Sequence, residues 1–110
     1  VVKDTVNQKN ITIPENEIIY AQADNIYAEV VTAQGIFLYS NKISLLVKKL
    51  NEEYFYRSNR SYIVNFNYII GYSKKEIEFS NGQKALISSS KFKDFKSKYL
   101  NYLKRKSIGE

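Results

Sequence analysis

Two pairs of carboxylates, Glu52-Glu53 and Glu76 with Glu78, are spaced closely enough for acid–base work. The first pair falls in what reads as a helix-exit loop. The second points off one face of an exposed strand, so solvation accounts for both. Asp24 beside Asn25 offers two oxygen ligands where calcium takes about six to eight, and a turn is the simpler reading. Histidine, cysteine, methionine and tryptophan are absent from the 110 residues. Thiolate nucleophiles, thiolate metal sites and imidazole-based mechanisms go with them. There is no Gly-rich phosphate loop. No enzyme activity, metal or cofactor is expected, and the chemistry that remains is that of cations.

Lys plus Arg number 17 against 11 acids, for a net charge of +6. Residues 1–50 are neutral, with five Lys against five acids. All the net charge lies in residues 51–110, and from Lys84 to Lys106 eight basic residues face only Asp94. A one-sided field of this kind attracts polyanions. A solvated helix face is the plain alternative. Ten Tyr and six Phe could stack on single-stranded bases. Most of them fall on inward-pointing periods, and Phe55, Tyr62, Phe79, Phe92 and Phe95 read as core.

The length suits one domain. One Pro and four Gly argue against a loop-dominated chain. No apolar run approaches the ~18 residues of a membrane span, and no apolar h-region follows Val1-Val2-Lys3-Asp4. A cytoplasmic location without a membrane partner is expected. The absence of an initiator Met reads as a fragment or a processed form of a longer protein.

The elements that must position these charges follow from periodicity. Ile11-Thr12-Ile13 before Pro14, and residues 17–21, read as strands. Asp24-Asn25 reads as a turn, and residues 27–39 as a hairpin through Gly35. Ile43, Leu46, Val47 and Leu50 repeat at helical spacing, with Ser40 or Asn41 as the cap. Residues 54–56, 62–64 and 69–72 read as strands, with Arg57-Ser58-Asn59-Arg60-Ser61 a polar stretch between the first two. Residues 76–79 alternate, Asn81-Gly82 suits a type I′ turn, and residues 84–87 return. Phe92, Phe95, Tyr99 and Tyr102 or Leu103 make the stripe of a last helix, capped by Ser88-Ser89-Ser90 and frayed from Ser107 to Glu110. The fold class expected is mainly β, with small antiparallel sheets, one short internal helix and a C-terminal helix.

The segment Phe55-Tyr56-Arg57-Ser58-Asn59-Arg60-Ser61-Tyr62-Ile63-Val64-Asn65 resembles the signature of the LytTR family of DNA-binding domains. In that signature Phe-x-Arg-x-His-Arg-Ser precedes an apolar pair and an Asn. Ile13-Pro14 before Ile18-Ile19-Tyr20, the helix at Leu45 to Leu50, Ile69, the Asn81-Gly82 hairpin and Ile87-Ser88 before a basic helix agree in order. The resemblance spans about residues 11–103.

That resemblance implies several small antiparallel sheets whose loops enter successive major grooves of double-stranded DNA and bend it. It also implies an N-terminal receiver domain outside this chain, through which two copies pair on direct repeats. By position, three regions should touch DNA: the loop at Asn25, the stretch Asn59-Arg60-Ser61, and Ser88 to Lys91. The Arg60 fork can bond guanine O6 and N7, worth about 1–3 kcal/mol of discrimination, or clamp a phosphate. Asn59 stands where the family usually has His; its amide suits an adenine edge and does not titrate. Arg57 fits either a DNA contact or a structural pair with an acid. Ser89 and Ser90 stand where the family commonly has Arg, and their hydroxyls suit phosphate. Lys91, Lys93 and Lys96 supply charge for phosphates. Asn25 fits a DNA contact or a plain turn former. The expected function is sequence-specific duplex binding by a bacterial transcription regulator of a two-component system. A non-catalytic protein–protein module with a basic face, or an RNA-binding domain, is the alternative.

Overall fold

A computed structural model describes residues 2–4 and 9–109. In chain order the strands are β1 (Val2–Asp4), β2 (Lys9–Ile11), β3 (Ile18–Asp24), β4 (Tyr27–Thr32) and β5 (Gly35–Tyr39). A short helix α1 (Ile43–Lys49) is followed by β6 (Phe55–Asn59), β7 (Tyr62–Asn65), β8 (Ile69–Tyr72), β9 (Glu76–Phe79) and β10 (Lys84–Leu86). Helix α2 (Phe92–Gly109) closes the chain. Seven strands pair in the order β2-β1-β5-β4-β3-β7-β6 and three in the order β10-β9-β8, every pair antiparallel. The expected fold class is the one observed.

Adjacent residues of β7 and β4, Ile63 with Val64 and Val30 with Val31, are all buried. Neighbours on a strand point to opposite faces, so the large sheet is covered on both sides. One face carries Ile18, Ala21, Val30, Phe55 and Ile63, closed by Ile43 and Leu46 of α1. The other carries Tyr20, Val31, Tyr56 and Val64, closed by the small sheet through Ile77 and Phe79 and by α2 through Phe95, Tyr99 and Tyr102. The aromatic residues do act as core: Tyr20 stacks on Phe79 at 5.0 Å and Phe95 on Tyr99 at 5.7 Å. Tyr62 and Phe92 are half-buried against that core.

Five local expectations change. The strand expected over residues 11–13 is instead β2, which ends at Ile11, because Pro14 caps a 3-10 turn at Glu15–Glu17. Lys42, rather than Ser40 or Asn41, occupies the N-cap of α1, without a side-chain cap bond. The stretch Arg57-Ser58-Asn59 is strand, since β6 runs through it to Asn59, which pairs with Tyr62. At Asn81-Gly82 only Gly82 has a positive φ, of 86°. With Gly82 N–H bonded to Phe79 O and Phe79 N–H to Gln83 O, this is a three-residue loop ending in a left-handed Gly, not a two-residue type I′ turn. Finally, α2 runs through Gly109, so Ser107 is helical. Glu110 lies outside the described residues.

Candidate nucleic-acid interface

Strand direction sorts the connections to two ends of the molecule. β3 leads to Asn25-Ile26 and β6 leads to Arg60-Ser61. Because β3 pairs with β7 through Gln22 and Tyr62, these two turns are neighbours. A bond from Ala23 N–H to Ser61 O at 2.8 Å joins them. On the far side of β6, Ser88 N–H donates to Ser58 O at 2.8 Å, which brings the entry to α2 to the same end. Beneath that bond Ser58 is fully buried, and its hydroxyl donates to Leu86 O at 2.8 Å. The three regions implied by the resemblance, far apart in sequence, are therefore tied in a row by backbone atoms.

The turn at Asn25-Ile26 joins the paired residues Asp24 and Tyr27. Asn25 takes φ 59°, a left-handed conformation that Asn tolerates better than most residues. Its side chain is exposed, and Ile26 stands 55% exposed at the tip. In the next turn, Asn59 Oδ1 accepts from Ser61 N–H at 2.9 Å. That acceptor is thus already engaged, and the Asn59 amide N–H groups remain for a partner. Arg57 is half-buried and pairs with no acid among the described residues. Its guanidinium donates to Arg60 O at 2.6 Å, fastening the turn from inside. Arg60 itself is exposed, and among the described residues its side chain has no hydrogen bond or ion pair. The turn is held through its backbone while its guanidinium is free.

The third region begins at half-buried Ser88, which precedes a 3-10 turn at Ser89–Lys91 without capping it through its side chain. The hydroxyls of Ser89 and Ser90 are exposed, as is Lys91. Tyr56 fixes this entry from below: its hydroxyl donates to Asp94 Oδ2 at 2.8 Å and to Lys91 O at 3.4 Å. Burial, and then the bond to Asp94 and its negative charge, push the Tyr56 hydroxyl's pKa well up, so it stays a donor. Asp94 is also bridged to Lys98 at 3.6 Å, and Lys98 lies over the Tyr56 ring at 5.6 Å. The one acid in the basic run is thereby occupied. Lys93 and Lys96 are exposed on α2. Lys96 sits almost one helical turn further from the end than Lys93, about 4.5 Å along the axis.

Sequence reasoning missed the positioning residues. Tyr56 and Ser58 alternate along β6 on the face that meets α2, and a small serine at that period beside an aromatic was the available signal. Asn65 is another: fully buried, its amide donates to Ile18 O at 2.8 Å while its Oδ1 accepts from Asn67 N–H at 2.9 Å. No group of His, Cys, Asp or Glu among the described residues is arranged to hold a metal. No helix among them is long and apolar enough to cross a membrane.

A family model for the LytTr DNA-binding domain matches residues 8–100 of the chain. Among solved structures, the LytTr DNA-binding domain of a Bacillus cereus protein named as a methyl-accepting/DNA response regulator superposes with a TM-score of 0.76. The two are 22% identical, over 91% of this chain and 94% of that one. No curated protein matches in sequence.

Proposed function

The chain belongs to the LytTr DNA-binding domain family, and from that premise we propose that it reads a specific duplex sequence as the output domain of a bacterial response regulator. The observation that carries the reading is the exposed, unpaired guanidinium of Arg60 on a turn that two backbone bonds join to the Asn25 turn and to Ser88–Lys91. Arg60 reads a base edge. Ser61, Ser88, Ser89 and Ser90 with Lys91, Lys93 and Lys96 bond phosphates, which fix register without reading sequence. Asn59 contributes amide donors, and Asn25 a polar contact at the neighbouring turn. Arg57 acts from beneath by holding the Arg60 carbonyl. DNA bendability adds to selectivity. A receiver domain joined to this one would pair two copies on spaced direct repeats.

Selection of preferred duplexes from a random pool tests the proposal, followed by gel shifts of the winner as duplex, as single-stranded DNA and as RNA. A pair of direct repeats bound as duplex in preference to either single strand is expected. Equal or tighter binding of single strands would overturn it.

A further inference from the structure

We infer that the turn Ser73-Lys74-Lys75, between β8 and β9, is a fourth contact with the DNA backbone, beyond the three regions assigned above. The inference rests on the proposed duplex reading. Three observations carry it. First, the turn sits at the Arg60 end of the molecule: Ile87 N–H donates to Lys75 O at 3.0 Å, one residue before Ser88 is tied to Ser58. Second, the turn is preorganised. The Ser73 hydroxyl accepts from Lys75 N–H at 3.2 Å and from Glu76 N–H at 3.3 Å, and Ser73 N–H donates to Glu76 O at 2.8 Å. Third, its charge is uncompensated. Lys74 and Lys75 are exposed and have no ion-pair partner among the described residues, while the adjacent acid, Glu76, is bridged to Lys84 at 3.2 Å.

Two free ammonium groups on a turn fixed beside the Ser88 loop have the chemistry of a phosphate contact. As compact point charges they carry no base preference. They lie past the end of the row formed by the Asn25, Arg60 and Ser88 turns, so they extend the footprint along the backbone on that flank.

The test is the salt dependence of binding to a random-sequence duplex between about 50 and 200 mM salt. The protein with Lys74→Ala and Lys75→Ala is compared with the unaltered chain and with Lys104→Ala at the other end of α2. Each lost phosphate contact lowers the slope of log affinity against log salt by about 0.9. A fall of about 2 for the double variant is expected, with no change for Lys104→Ala and an unchanged preference for the selected site. An unchanged slope in the double variant, with the parent binding duplex normally, overturns the fourth contact alone. A parent that does not bind duplex overturns the underlying reading and this inference with it. Thermal melts of all three proteins establish that the exposed substitutions leave the fold intact.

Discussion

At the Arg60 end the turns are fastened mainly through backbone atoms: Ala23 to Ser61, Ser58 to Ser88, Lys75 to Ile87. Side chains there are left over, and Arg60, Lys74 and Lys75 are among them. At the opposite end, around Asn67, the polar side chains are consumed by the protein itself. Glu15 Oε1 accepts from Asn51 N–H, Tyr68 donates its hydroxyl to Asn16 O, Tyr102 bonds Asn67, and Arg105 donates to Glu53 O at 2.8 Å. The acids differ as well. Glu15, Glu17, Glu52 and Glu53 gather around the Asn67 end, whereas toward the Arg60 end Asp24 is exposed and Glu76 and Asp94 are bridged to lysines. Total charge is therefore a poor guide to the binding surface. What separates the ends is the state of their arginines: Arg105 is bonded to Glu53 O, whereas the Arg60 side chain has no partner among the described residues.

The sharpest way to break this contrast is to remove one arginine from each end. Arg60→Ala should cut the preference for a selected duplex over a random one by roughly 5- to 150-fold, the ~1–3 kcal/mol of a bidentate base contact. Arg105→Ala should leave that preference intact. Competition binding reads both, and an Arg105 effect equal to that of Arg60 would erase the distinction between the ends. Next in size is Ser58→Ala, which strips the buried donor from Leu86 O. A loss of about 1–2 kcal/mol in urea unfolding is expected from leaving a part-buried acceptor unpaired, with weaker duplex binding because the end of β10 that leads into Ser88 loses its anchor at Leu86 O. Stability falling while binding stays constant would separate the anchor from the interface.

The smallest effect at neutral pH concerns the core that links the ends. Burial raises the pKa values of Tyr20, Tyr56 and Tyr99 above the usual 10.0, and like-charged neighbours or the bond to Asp94 add to it. The unfolded chain releases these protons near pH 10 and the folded one holds them longer. The stability they contribute is complete below pH 10 and is lost as pH rises beyond it. An alkaline titration followed by ultraviolet absorbance should find a group of tyrosines that ionise only as the fold is lost. Titration of all ten near 10 in the folded protein would contradict the burial described.

Much of this architecture is readable from periodicity. The alternation in Glu76–Phe79, the helical stripe of Phe95, Tyr99 and Tyr102, and the return of residues 27–39 all survive because local spacing dictates which face is apolar. The turn at Asn81-Gly82 was legible as a turn but not in its type, since the ladder register, not the dipeptide, sets loop length. Arg57 illustrates a deeper gap. Its partner is the carbonyl of Arg60, a backbone atom that composition does not advertise. The gathering of Asn25, Arg60 and Ser88 at one end rests on two backbone hydrogen bonds between distant segments. Only the resemblance to a family with that arrangement pointed toward it.

The bond from Ala23 to Ser61 also acts as a ruler. Adjacent strands lie about 4.8 Å apart, so the hairpin tips at Asn25 and Arg60, centred two strands apart, are held near 10 Å from each other. Successive base pairs rise about 3.4 Å. In a duplex that meets both tips, the bases they touch are therefore separated by roughly three steps, and the ladder beneath does not stretch to accept another. Inserting one base pair between those two points of a bound site should be as damaging as mutating either of them.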